Sequence, residues 1–570
     1  MEVMYMKFSE MPYVRPDIDA IKKKSAELTD IIVNADCAAQ QIAAYDDADK
    51  LFSAFNTMSS ICYVRHTVNT NDKFYEDENE FFDESSPVIS ECSQSISEAM
   101  LKSKFRSELE QHYGKLLFTK IEIAVRSFSP EIIELMQEEN KTASQYQKLY
   151  ASAMVEWEGE KIPLPMLGPY KESPDRSVRK KTAQVTAEFF DAHREELDTL
   201  YDKLIKLRNA QARKLGYKNY IQLGYDRLGR NCYGQEEIKA FREQIARDLV
   251  PVVCKIKENQ RKRIGVDKIT IYDDSFSFTD GNAKPVGTSD EILAAGREMY
   301  HELSLETAEF IDFMFDSELF DVLSKEGKAP GGYCTEIPDY KAPFIFSNFN
   351  GTSGDVDVLT HEAGHAFAAY RAFKQGYISD YISPTIEACE VHSMSMEFLT
   401  EDYHDKFFGE NTPKYALAHC EDAINFIPYG CMVDEFQHMM YENEDLTPAQ
   451  RNEIWLELEK KYRPYLDFDN LPFYSRGATW QRQLHIYLYP LYYIDYCMAQ
   501  TVAFQFWIAS MHDKSDAWTR YLKFVDMAGT RTFDELVREA GLKVPYEQGC
   551  IKAVADEISA WIDKADKKII

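Results

Sequence analysis

The segment Asp357-Val358-Leu359-Thr360-His361-Glu362-Ala363-Gly364-His365-Ala366-Phe367-Ala368 contains H-E-x-x-H within a helical pattern that follows Gly351-Thr352-Ser353-Gly354. Positions i and i+4 share a helix face, so the His361 and His365 imidazoles can converge on one divalent cation, typically zinc. Glu362 lies about 100° around the helix, where its carboxylate can point past the ion towards a water. The competing reading, two core histidines bonded to backbone, weakens sharply once a third ligand is found.

A catalytic zinc takes three protein ligands and keeps one position for water, so the third should come from a neighbouring helix. Gly376 is placed to end the first helix, and Ser383-Pro384 offers an N-cap and a first-turn proline for the next. Glu387, Glu390, Met394 and Glu397 then fall on one stripe of that helix, at offsets 0, 3, 7 and 10. Periodicity does not choose among the three carboxylates, because they differ in depth and not in direction. His392 lies about 200° from Glu390 and reads as a hydrogen-bonded histidine on the far face, outside the ligand set.

A second cluster follows late in the chain, His485-Ile486-Tyr487-Leu488-Tyr489-Pro490-Leu491-Tyr492-Tyr493-Ile494-Asp495-Tyr496. Beyond Pro490 the tyrosines recur at helical spacing, which by itself describes a structural aromatic stripe.

The elements that must position these groups are mostly helices. Residues 17 to 265 read as successive amphipathic helices; one of them, Tyr201 to Tyr220, meets a stop signal at Gly216. Between Val266 and Asn350 short strands are expected at Lys268–Tyr272, Gly331–Cys334 and Pro343–Asn348, forming a small sheet just before the metal-binding helix. Helices then resume to the C-terminus. The division expected is an N-terminal helical lobe over 1–195 and a catalytic domain over 196–570.

Composition narrows the function. With 65 Lys and Arg against 95 Asp and Glu, the net charge of −30 repels phosphate backbones and anionic lipid, which argues against nucleic acid and membrane partners. Eleven cysteines without a C-x-x-C pair fit a reducing compartment, and neither a signal-like apolar run nor an 18-residue apolar stretch occurs, so a cytoplasmic enzyme is expected.

Taken together, the motifs resemble the thimet oligopeptidase and oligoendopeptidase F family of zinc metallopeptidases, family M3, in its oligoendopeptidase F branch. His361-Glu362-Ala363-Gly364-His365 fits the family's H-E-x-G-H, and Glu390-Val391-His392-Ser393-Met394-Ser395-Met396-Glu397 fits its E-x-x-S-x-x-x-E pattern 25 residues later. Pro343–Asn348 with Phe349-Asn350-Gly351, the helix Arg208–Gly216 with Tyr217, and Asp434-Glu435-Phe436-Gln437-His438 also look like that branch. The likeness extends over roughly residues 200 to 560.

The resemblance implies a mainly α fold of two helical lobes enclosing a deep substrate channel, with a small sheet next to the zinc-binding helix. It implies one Zn²⁺ per chain held by His361, His365 and Glu390, with Glu397 orienting a ligating histidine and Glu387 a bystander. Glu362 would be the general base, and His485, Tyr493 and Tyr496, with Tyr489 beside them, resemble the family's C-terminal histidine and tyrosines. The expected activity is cleavage of internal bonds in short unstructured peptides. A carboxypeptidase or dipeptidase on a related helical H-E-x-x-H scaffold, or a non-catalytic peptide-binding protein, are the rivals. The oligomeric state is not legible.

Overall fold

The computed structural model describes residues 6–329 and 331–569. The fold is mainly α, as expected, with five short strands in two small sheets among the described residues. Strands β1 (Met154–Trp157) and β2 (Glu160–Pro163) form an antiparallel hairpin. Strands β3 (Phe320–Leu323), β4 (Tyr333–Ile337) and β5 (Ala342–Phe349) form the second sheet, in the order β3-β5-β4. In it, β3 runs parallel and β4 antiparallel to the central β5.

The chain folds into two compact units, each assembled from three segments. The first takes the residues up to Val125, Lys284–Thr412 and Ala509–Leu542. Its long helices Ile18–Asn34 and Lys73–Leu101 start at Asp17 and Asp72, whose carboxylates accept from the exposed N–H groups of the first turn. Their inner faces bury Leu28, Ile32, Ile96 and Met100 together with Leu117 and Phe118.

Strand β5 is buried along nearly its whole length, as a central strand covered on both faces should be, and its Ala-Pro-Phe-Ile-Phe run shows it. Gly351, at φ 80°, then turns the chain into the helix Gly354–Gln375. Asp355 secures that turn by accepting from the N–H groups of Asn350 at 2.9 Å and Gly351 at 2.7 Å. The helix ends at Gly376 in the left-handed conformation, as its sequence predicts. Segment Ala509–Leu542 braces this region: Asp526 pairs with Arg371 at 2.6 Å, and Tyr521 Oη donates to the His392 carbonyl at 2.8 Å.

The second unit takes Arg126–Ala283, Pro413–Ile508 and the stretch from Lys543. Its interior holds Trp455, Trp480, Tyr201 and the fully buried Arg208. A buried guanidinium needs a partner. Arg208 has Glu139 at 2.6 Å and also donates to the carbonyls of Ile486 and Tyr487, tying the helix Arg194–Lys214 to the short helix that carries His485.

Lys268–Tyr272 does not form the expected strand; among the described residues it contributes an isolated bridge from Thr270 to Asp467. The buried Asp273 carboxylate bends this segment into a turn by accepting from the Thr270 N–H and hydroxyl, and it also pairs with Arg176 and Arg179. The β1–β2 hairpin lies within a stretch read as helical. Its signal was present: Val-Glu-Trp and Glu-Lys-Ile flank Glu158-Gly159, both at positive φ, which a two-residue hairpin turn requires. Strand β4 begins at Tyr333, two residues after the expected Gly331, and no described helix is long and apolar enough to cross a membrane.

Candidate active site

The two helices that the sequence singles out, Gly354–Gln375 and Ile386–Leu399, lie side by side in the first unit. Gly364 sets their separation. A Cβ on it would lie 2.6 Å from Ser393 Cα and 2.7 Å from the His392 carbonyl oxygen, so only a hydrogen fits between the backbones. The second helix begins at Ile386 with Thr385 at the N-cap position, two residues later than Ser383-Pro384 suggests. Ser383 is occupied elsewhere, donating to Glu336 Oε1 of β4 at 2.6 Å.

This close approach brings Glu390 opposite the two histidines. Its Oε2 lies 3.5 Å from His361 Nε2 and 3.6 Å from His365 Nε2, and one ligand atom from each of the three falls within 4.8 Å of the others. The imidazole rings stand at 80° with centroids 5.1 Å apart. His361 Nδ1 donates to Glu397 Oε1 at 2.6 Å, which fixes the ring orientation and leaves Nε2 facing Glu390. Ser393 Oγ donates to Glu390 Oε2 at 3.3 Å.

The electrostatics are those of a coupled buried cluster. Burial alone would raise the Glu390 pKa, but His361 and His365 outweigh it and hold the carboxylate well below its usual range. Burial opposes charge on His361 as well, yet Glu390 and Glu397 raise its pKa well above the ordinary histidine value. The Glu362 carboxyl is pushed up, chiefly by burial, with both imidazoles working against the shift. Two imidazole nitrogens, one carboxylate oxygen and a neighbouring carboxylate suit a divalent cation, whose binding would displace the proton that the two glutamates otherwise favour on His361.

Glu387 of the stripe and His392 of the far face are told apart by their contacts. Glu387 is fully buried and accepts from Thr385 Oγ1 at 2.8 Å, and it is not part of the three-residue donor group. His392 is buried against Phe524, with ring centroids 5.5 Å apart. Its Nε2 has no hydrogen-bond partner among the described residues, contrary to the satisfied histidine read from the sequence. Burial and the nearby His365 lower its pKa to about 3, so it stays neutral.

In the second unit, His485 gathers four tyrosines. Ring centroids lie at 4.8 Å for Tyr493, 5.9 Å for Tyr492 and Tyr489, and 6.0 Å for Tyr496. One continuous helical stripe does not produce this grouping. His485 sits in the helix Leu484–Leu488, Tyr496 in the first turn of Ile494–His512, and between them the chain turns at Pro490 and at Leu491, whose φ is 66°. Gln437 Oε1 holds that turn by accepting from the Leu491 N–H at 3.0 Å.

Two glutamines that sequence reasoning left unassigned thus shape this cluster. Gln483 Oε1 accepts from Tyr429 Oη at 2.7 Å, which turns its amide so that Nε2 donates to His485 Nδ1 at 2.9 Å. With Nδ1 accepting, neutral His485 carries its proton on Nε2 and presents a donor. The only sequence signal was a glutamine two residues before the histidine. Within Asp434-Glu435-Phe436-Gln437-His438, Asp434 pairs with Arg242 at 2.5 Å and His438 meets Tyr225 Oη at 3.0 Å, so the motif positions the turn and braces its helix.

A His-His-Glu donor set on two packed helices, with a buried carboxylate beside it, is the arrangement of a metallopeptidase. The chain belongs to peptidase family M3: the Peptidase family M3 model matches residues 169–556, and the Peptidase M3 N-terminal domain matches residues 8–128. PZ peptidase A, solved with an inhibitor, superposes with a TM-score of 0.92 at 47% identity, covering 98% of this chain and 99% of its own. Oligoendopeptidase F of Lactococcus lactis subsp. cremoris is 23% identical over 412 residues, and the oligoendopeptidase F homolog of Borreliella burgdorferi is 28% identical over 219. These alignments span 68% and 37% of this chain and 64% and 36% of the two relatives' own lengths.

Proposed function

We propose that this chain is a zinc-dependent oligoendopeptidase that hydrolyses internal bonds of short, unstructured peptides. The observation that carries the reading is the convergence of His361 Nε2, His365 Nε2 and a Glu390 oxygen beside Glu397 and Glu362. Those three side chains would hold the ion. When bound, zinc supplies positive charge that acidifies a water and polarises the scissile carbonyl.

The protein's own groups would do the rest. Glu397 keeps the His361 Nδ1 proton in place, so Nε2 stays a ligand atom. Glu362 takes a proton from the attacking water on its carboxylate and returns it to the departing nitrogen, which otherwise leaves as a strongly basic amide anion. His485, through the Nε2–H that Gln483 fixes, and the hydroxyls of Tyr496 and Tyr493 are the donors for the carbonyl oxygen as it gains charge. Support for the substrate class comes from the family and from the relatives named oligoendopeptidase F.

The test is a metal analysis joined to digestion of a peptide blocked at both ends. One zinc per chain and products cut inside the blocked peptide are expected. Stepwise C-terminal trimming that needs a free carboxylate would replace this reading with a carboxypeptidase, and no cleavage by zinc-loaded protein would remove it.

A further inference from the structure

The second unit contains a cavity of about 450 Å³ that the proposed chemistry does not use. Its walls come from the helices Arg176–Ala192, Val250–Arg263 and Thr412–Glu442 and from the turn Thr479–Arg482 with Gln483. In a chain of net charge −30, five basic side chains line this one space and only two acidic ones do.

Three of the five are already neutralised. Arg179 pairs with Asp273 at 2.9 Å, Lys257 with Asp274 at 2.7 Å and Arg463 with Glu459 at 2.5 Å. Lys171 and Arg482 have no carboxylate within ion-pair distance among the described residues; the Arg482 guanidinium lies 6.0 Å from the Tyr474 ring centroid. They are also close enough to feel each other: burial, and then Arg482, lower the Lys171 pKa. Two like charges held together in a concave wall cost free energy that an anion between them would recover.

The cavity adjoins the histidine and tyrosine cluster through shared side chains. Gln483 lines it while donating to His485, and Phe426 lines it while packing on Tyr493 and Tyr496 at 5.3 and 6.2 Å. A peptide whose reacting carbonyl lies at that cluster therefore has a cationic space beside it.

We propose that this cavity binds a carboxylate of the peptide substrate between Lys171 and Arg482. The inference rests on the peptidase reading and adds a recognition site to it. The carboxylate has two sources, the C-terminus of a short peptide or an acidic side chain near its end. The first would favour short substrates, because only they bring a chain end within reach of the reacting bond.

The experiment compares three forms of one peptide, with a free C-terminal acid, with a C-terminal amide, and with an added glutamate amide, on the zinc-loaded full chain. For the unmodified protein, kcat/KM for the acid should exceed that for the amide roughly tenfold at low salt, as charge-assisted contacts of this kind give. The ratio should fall towards one in Lys171→Met and in Arg482→Met, and Lys171→Glu should reverse it. Recovery by the glutamate amide assigns the side-chain source and keeps the site.

Equal rates for all three forms in the unmodified protein, or a preference that survives both methionine variants, would overturn the proposal, and the first of these does not depend on any variant folding. No turnover of any form sinks the peptidase reading instead. An absolute need for the free acid, with a product of fixed length from the C-terminus, retains the cavity and rejects the endopeptidase.

Discussion

At the residue scale, the division of labour around the two imidazoles predicts different failures for different carboxylates. Glu390 and the histidines face one point, whereas Glu362 lies beside it. Glu362→Gln keeps the shape of the side chain and leaves the three donors in place, but it cannot carry a proton. We expect zinc content to be unchanged while kcat falls by about 10²–10⁴-fold, to be checked by metal analysis and steady-state kinetics on the same preparation. Loss of zinc would mean that Glu362 is a ligand and not a base. Tyr496→Phe should keep zinc as well and lose about 10²–10³-fold in kcat, the effect of removing one donor to a developing oxyanion. Undiminished turnover would exclude that hydroxyl.

At the scale of elements, the contact at Gly364 is a spacer of zero length. Gly364→Ala places a methyl carbon 2.6 Å from Ser393 Cα, and the neighbour is backbone, which cannot swing aside. The helices must part, at about 1–3 kcal/mol, and Glu390 moves with the second of them. A lower thermal midpoint together with weaker zinc binding in a chelator competition is expected; a change in neither would show that the pair tolerates the separation.

The helix Thr412–Glu442 contributes a pH dependence through His438. Its Nδ1 lies 2.9 Å from the Asp434 carbonyl and its Nε2 accepts from Tyr225 Oη, so the neutral ring is fully bonded. Burial, with Arg242 adding to it, lowers its pKa in the folded state. Above the unfolded value near 6.5 the residue does not alter stability with pH. As pH falls below about 6.5 the unfolded chain takes up the proton first and stability is lost, by up to about 1.4 kcal/mol per pH unit. Thermal midpoints at pH 7.5 and 5.5 should therefore differ less in His438→Gln than in the unmodified protein. An identical difference would remove His438 as a source of acid sensitivity.

At the scale of the whole molecule, what the sequence discloses follows sequence distance. His361, Glu362 and His365 are legible because a proposed ligand pair four residues apart needs nothing but a helix. Among Glu387, Glu390 and Glu397, helical periodicity cannot choose; the choice is made by where Gly364 docks on Ser393, a contact between segments 29 residues apart. The His485 tautomer depends on Tyr429, and the tyrosine turn depends on Gln437, neither of which belongs to the local motif. Lys268–Tyr272 reads as a strand because its residues suit one, but the buried Asp273 and two arginines from positions 176 and 179 override that preference.

The interleaving of the two units has a consequence for biosynthesis. The helices bearing His361 and Glu390 leave the ribosome well before Tyr521 and Asp526, the side chains that brace them from segment Ala509–Leu542. A nascent chain stalled before that segment should expose a half-built site with low affinity for metal, recruitable by chaperones. A chain truncated after Ile508 is expected to bind zinc more weakly than the full chain, and equal affinity would show that the helix pair matures without its late-arriving support.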